Sequence, residues 1–143
     1  MSLFASVYYS QAAYPFEQEE LRVLAKRASD CNQDFNITGF LQYRNRRFFQ
    51  FVEGNRVAVS SLMKNIERDP RHRILRTIHF PNLTTRHFGA WHMRLVDHNE
   101  FVHYDLVDLL ETVLTRMSDD IYSPEALQLT ILPLVNKISR FLP

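Results

Sequence analysis

The spacing of hydrophobic positions changes along the chain, and each change marks an element. Residues 3–9 (Leu-Phe-Ala-Ser-Val-Tyr-Tyr) carry β-branched and aromatic residues in partial alternation, and Ala13-Tyr14-Pro15 ends the run, which predicts a strand. From Glu17 the period lengthens: Leu21, Leu24, Ala25 and Ala28 fall at i, i+3, i+4 and i+7, giving one apolar face to a helix whose first turn is rich in Glu. Strand character returns over 36–43 and 47–53, around the polar connection Arg44-Asn45-Arg46, the signature of an antiparallel hairpin. Asn55 is suited to cap a second helix, with Val59, Leu62, Met63 and Ile66 at helical spacing and Pro70 as its stop. Residues 74–80 and 92–96 read as a fourth and a fifth strand.

The order is therefore βαββαββ. Two crossovers around a hairpin give an α+β, ferredoxin-like sheet with two helices on one face, and in that arrangement the first and third strands are central neighbours. After Val96 the strand pattern stops, and two further helices are expected. The first runs from Phe101 to Met117 with Leu106, Leu109, Leu110, Val113 and Leu114 on one side; the second opens at Ser123-Pro124-Glu125, with Pro133 expected to kink or interrupt it. The chain thus divides into a folded domain, 1–97, and a helical extension, 98–143. The extension is too short for a core of its own and is expected to lie on the sheet face that the first two helices leave bare, or to make an oligomer contact.

Composition narrows the function classes. With 17 Lys and Arg against 16 Asp and Glu, the formal charge is +1, so neither nucleic acid nor an anionic membrane is gripped mainly by electrostatics. The single cysteine, Cys31, cannot form an internal disulfide; no apolar run is long enough to span a membrane, and the N-terminus has no leader pattern, so a cytoplasmic protein is expected. There is no Gly-rich phosphate loop, His-Glu-x-x-His or nucleophile elbow, and the six histidines are scattered without a metal triad. The expectation is not an enzyme. The informative excess is aromatic, with 11 Phe, 6 Tyr and one Trp.

One residue is out of place among those aromatics. Gln50 sits in Arg47-Phe-Phe-Gln-Phe-Val-Glu53 and shares a strand face with Phe48 and Val52. On a buried face its amide must find hydrogen-bond partners, because an unpaired buried polar group costs about 1–3 kcal/mol; on a solvated face Phe49 and Phe51 would form the core instead. Spacing leaves both arrangements open. Tyr8, near the end of the first strand, is the natural partner if the face is buried, since the two strands are neighbours. An oxidisable phenol beside a buried amide suits redox or proton-transfer chemistry on a bound aromatic ligand, and Asn32, placed just past the first helix, would add a second amide.

These residues, taken in order, resemble the BLUF domains, the blue-light sensors using FAD. The resemblance rests on Tyr8, on Asn32 followed by Asn36-Ile-Thr-Gly-Phe-Leu41, on Phe48-Phe-Gln-Phe-Val-Glu-Gly54, on Asp69-Pro-Arg-His72 and on Trp91-His-Met93, and it covers residues 2–97. It implies that Leu24 and Ile66 sandwich the isoalloxazine ring between the two helices, with Phe48 near the pocket. Asn32 would bond the flavin carbonyl edge, Gln50 would bridge the flavin to Tyr8, and Asp69 and His72 would contact the ribityl or nearby groups. Blue light would drive electron transfer from Tyr8, coupled to proton movement through Gln50, leaving that amide rotated or tautomerised. Trp91 and Met93 resemble the family's switch residues on the fifth strand, through which the change would reach the C-terminal helices.

Two positions depart from the pattern. Cys31 stands where many members have a polar residue at the flavin edge, and Asn65 where a basic residue near the flavin carbonyl is common. The resemblance further implies a short photoreceptor that signals to a separate protein, response-regulator-like or controlling transcription, and that forms a homo-oligomer without binding nucleic acid or membrane directly. Two alternatives differ in class: an RRM-like RNA-binding module, whose strand order is shared and which Arg46-Arg-Phe-Phe-Gln-Phe-Val distantly echoes, and an interaction domain without flavin.

Overall fold

The computed structural model describes residues 3–96 and 104–141. They fall into two compact units, with the division after Val96. The first unit comprises β1 (Leu3–Ala12), α1 (Gln18–Asp34), β2 (Thr38–Arg44), β3 (Arg47–Gly54), α2 (Arg56–Arg68), β4 (His72–Leu83) and β5 (Arg94–Leu95). The sheet runs β4-β1-β3-β2-β5, so β1 and β3 are central and antiparallel, and β5 joins the far edge parallel to β2. This is the ferredoxin-like α+β arrangement the hydrophobic pattern predicts.

Local chemistry explains the boundaries. Asn45 and Arg46 both have positive φ (53° and 61°), the two-residue turn whose twist matches a hairpin, and Arg44 pairs with Arg47 across it. Asn55 caps α2, its side-chain oxygen accepting from the backbone of Val57 at 2.8 Å. Glu17 and Glu20 form a reciprocal capping box at the start of α1. Pro81 is accommodated in β4 because that strand is an edge, where a missing N–H costs no ladder bond.

Both faces of the sheet are buried. On one, Phe4, Tyr8, Leu41, Phe48 and Val52 pack against Leu21 of α1 and Val59 and Met63 of α2. On the other, Val7, Phe40, Phe49, Phe51 and Phe80 are buried, and Phe88 sets its ring 5.0 Å from that of Phe40 and 5.6 Å from that of Phe51. Each fully buried Phe removes enough apolar surface to be worth about 1.5–3 kcal/mol.

In the second unit, α3 (Tyr104–Arg116) packs against α4 (Pro124–Phe141). Leu110, Val113 and Leu114 on α3 and Leu127, Ile131 and Ile138 on α4 are buried. Ser123 caps α4 by accepting from Ala126 N at 3.1 Å. Of the predicted start of α3, Phe101, Val102 and His103 lie outside the described residues.

Four expectations need correction. Asn32 lies within α1, because the helix continues to Asp34 and closes through the Asn32 carbonyl, which accepts from Phe35 N and Ile37 N. The fourth strand starts at His72 rather than at 74. The fifth strand is only Arg94–Leu95, so Trp91 and Met93 precede it; the carbonyls of Trp91 and His92 are taken by Gly39 N and Asn32 Nδ2 instead of extending a ladder. Pro133 does not interrupt α4: the carbonyl it leaves unpaired belongs to Leu129, and both residues are on the exposed side of the helix.

Gly39 marks a close approach between β2 and β3, since a Cβ there would sit 1.9 Å from the carbonyl oxygen of Phe51. Relief would require backbone movement between β2 and β3. Gly39→Ala is expected to destabilise the fold by at least about 1–3 kcal/mol, seen as a lower denaturant midpoint; an unchanged midpoint would contradict this packing.

Candidate functional site

A cavity of about 340 Å³ opens between α1 and α2 above the central strands. Tyr8, Leu41, Phe48 and Gln50 line it from the sheet, Leu24, Ala28 and Asn32 from α1, and Leu62, Asn65 and Ile66 from α2. Asp69, Arg71 and His72, between α2 and β4, complete the lining with Phe16, Arg27 and Cys31. The exposed members, Arg27, Cys31, Asn65 and Arg71, mark its mouth. Leu24 and Ile66 face the space from opposite helices, which suits a flat aromatic guest.

At its floor Tyr8 and Gln50 are direct partners in the β1–β3 register, both pointing to the helix side. The Tyr8 hydroxyl donates to Gln50 Oε1. Tyr8 is 3% exposed and Gln50 5%, so the amide lies on the buried face, one of the two arrangements spacing left open. Gln50 Nε2 then points to Met93 Sδ at 3.5 Å, a weak acceptor. A buried amide N–H with only a thioether beside it is under-satisfied, and an acceptor in the cavity would complete it. Burial, reinforced by the negative charge of Asp69, pushes the Tyr8 phenol well above the ordinary tyrosine range.

The rim is polar and largely engaged. Hydrogen bonds from the Arg71 guanidinium hold the Asp69 carboxyl below the usual carboxylate range, against an opposing contribution from partial burial. That guanidinium grips both carboxylate oxygens at 2.5–3.1 Å. His72 has both ring nitrogens occupied, Nδ1 with Ser10 Oγ at 2.7 Å and Nε2 with the Ile66 carbonyl at 2.8 Å. A carbonyl only accepts, so Nε2 carries a proton. Asn65 Oδ1 accepts from Arg68 at 2.6 Å. Asn32 donates Nδ2 to the His92 carbonyl at 2.9 Å, and the same amide nitrogen carries a second N–H.

The fold brings Tyr8, Leu24, Asn32, Phe48, Gln50, Asn65, Ile66, Asp69 and His72 around this one space. Trp91 and Met93 do not line it. Met93 is buried and reaches Gln50 from the side, whereas Trp91 is half-buried with the Arg94 guanidinium 5.7 Å from its ring centre. Sequence reasoning missed Phe16, Arg27 and Arg71 as lining residues. Arg71 stands inside the motif Asp69-Pro-Arg-His72 and was within reach; Phe16 comes from a connecting segment and is set by its edge-on contact with Phe48 (5.0 Å, 85°), which no periodicity encodes.

Comparison with known proteins is specific. The family profile BLUF, described as sensors of blue-light using FAD, matches residues 3–94. Photoactivated adenylate cyclase subunit beta of Euglena longa is 34% identical over 89 residues, covering 62% of this chain and 10% of that protein. Among solved structures, the dark state of BlrB, a BLUF protein, superposes with a TM-score of 0.69 at 26% identity, covering 99% of this chain and 98% of the other. A bacterial light-regulated adenylyl cyclase gives 0.67 at 31% identity over 78% of this chain and 33% of that one. This chain therefore spans only a small part of the cyclases it matches.

The raised Tyr8 pKa has a consequence for stability. Below about pH 10, the ordinary tyrosine value, the phenol is neutral in folded and unfolded chains alike. Above it only the unfolded chain ionises, so stability falls as pH rises toward the folded pKa. Tyr8→Phe is expected to flatten this alkaline loss in denaturation curves measured across that range. An equally steep loss in the variant would show that Tyr8 is not its source.

Proposed function

The chain belongs to the BLUF family, sensors of blue light using FAD, and on that premise we propose that the Tyr8–Gln50 pair is its photochemical switch. The observation that carries this reading is the buried hydrogen bond from the Tyr8 hydroxyl to Gln50 Oε1 at the floor of the cavity. The lining fits the cofactor: two opposed apolar side chains, Leu24 and Ile66, for the faces of a planar ring, amide donors at one edge, and the under-satisfied Gln50 N–H. Phe48 adds an aromatic wall, and Asp69, held by Arg71, and His72 line the cavity where they would contact the ribityl or nearby groups of the cofactor. When bound, FAD supplies the absorption of blue light and, once excited, an acceptor for one electron.

Tyr8 is the donor. Held neutral by burial, its phenol becomes a strong acid on losing an electron, and its proton passes along the existing hydrogen bond to Gln50 Oε1. The amide has distinguishable ends, so rotation or tautomerisation exchanges its donor and acceptor with little change of volume. Return of the electron and proton restores Tyr8 and leaves Gln50 in the new arrangement. No substrate is converted.

Met93 contacts Gln50 directly, so a turned amide changes the partner of the segment carrying Trp91 and Met93. We place the output there, passing to the helical extension and from it to a separate protein, response-regulator-like or controlling transcription, or to a change in homo-oligomer assembly. Light shifts whichever of these equilibria has unequal affinity for the two states. The RNA-binding alternative loses its basis, since Phe48, Phe49 and Phe51 are all buried and offer no stacking platform.

The absorption spectrum of purified protein, before and after blue light, tests the switch. A yellow protein is expected whose flavin bands move slightly to the red and recover in darkness. Tyr8→Phe and Gln50→Leu should each abolish the normal shift while flavin remains bound. A full photocycle in both variants would refute the assignment.

A further inference from the structure

Glu53 is completely buried, yet it stands on the sheet face occupied by Phe40, Phe49 and Phe51, where an apolar residue would pack at lower cost. It lies three residues from Gln50 on β3 and therefore points to the opposite face. Its carboxylate is fully engaged. Oε1 accepts from His87 N at 2.7 Å, and Oε2 accepts from Phe88 N at 2.7 Å and from Thr38 Oγ1 at 2.9 Å. Arg86 closes the cluster, its Nη1 donating to Thr38 Oγ1 at 2.9 Å and to the Glu53 carbonyl at 3.3 Å.

The backbone that Glu53 holds leads directly to the switch. Phe88 sits against Phe40 and Phe51, and its carbonyl accepts from Trp91 N at 3.0 Å. The Trp91 carbonyl accepts from Gly39 N at 3.1 Å, and Met93 meets Gln50. One strand thus carries both the amide that moves, on one face, and the anchor of the segment that answers it, on the other.

We propose that Glu53 is a positioning residue of the light response: its buried carboxylate fixes the entry of the 86–93 segment and so sets how Met93 is presented to Gln50. This rests on the reading of Gln50 as the switch. A carboxylate is required because each of its oxygens faces a backbone N–H that can only donate, His87 N at Oε1 and Phe88 N at Oε2, with His87 Nδ1 also 3.5 Å from Oε1. An amide at position 53 would turn an N–H₂ toward one of these two backbone donors and leave that group unpaired in the interior. The segment would then lose its fixed entry, while the cavity, on the other face, would keep its lining.

The test uses E53Q and two readouts. Trp91 is the only tryptophan, so its fluorescence reports the segment in the dark without any photochemistry; E53Q should raise its quenching by acrylamide with flavin content unchanged. After a blue flash, E53Q should move the dark-recovery rate in the same direction as M93A, by about threefold to tenfold, and the double variant should match M93A alone, since both act through one contact. Unchanged Trp91 quenching, or recovery effects that simply multiply, would overturn the proposal. If wild-type protein shows no photocycle, the reading of Gln50 fails, while Trp91 quenching still judges the clamp. Should E53Q not fold, T38V removes a single donor from the carboxylate and is expected to give smaller effects of the same sign.

Discussion

The hydrogen bond between Tyr8 and Gln50 joins the two central strands by setting a buried phenol against a buried amide. Its existence depends on topology: β1 and β3 are far apart in sequence, and only the crossover through α1 and the hairpin of β2 and β3 makes them neighbours in register. Everything chemically useful at the site is arranged around that pair. The helices supply apolar walls, and burial beneath them is what pushes the Tyr8 phenol above the ordinary tyrosine range; in the proposed switch its single hydrogen bond would be the route for its proton.

A sheet buried on both faces lets one strand serve two purposes. Gln50 and Phe48 face the cavity, while Phe49, Phe51 and Glu53 face away from it. The proposed movement of the amide would therefore not be dissipated in solvent. It meets Met93 on one side, and the segment bearing Met93 is tied back to the same strand on the other side through Glu53. Packed surroundings of this kind favour discrete rearrangements over gradual deformation. Signalling needs that property.

The order βαββαββ, the hairpin, the caps at Asn55 and Ser123 and most of the residues now found around the cavity were legible in the sequence, because each depends on local spacing or on residues named by the BLUF resemblance; Phe16, Arg27 and Arg71 were not. Other features were not. Alternation could not assign Gln50 to a face, since both faces of β3 are apolar and both are buried. A fifth strand was legible, but not that it would be only two residues long. Trp91-His-Met-Arg-Leu-Val has strand-like residues, but its carbonyls are claimed by Gly39 and by Asn32.

What the sequence determined by itself is the set of elements and the chemical types available: a phenol, several amides, a carboxylate and a guanidinium two residues apart, and apolar residues that make up 45% of the chain. Periodicity and capping act over a few residues, so they can be read without the fold. Which groups meet was decided by tertiary structure alone. The pairing of Tyr8 with Gln50, the contact of Gln50 with Met93, the engagement of His72 Nδ1 by Ser10 and the burial of Glu53 under the 86–88 backbone all join residues distant in the chain. Their partners are fixed by strand register and helix packing, where a buried polar group must be satisfied by whatever the fold brings within reach.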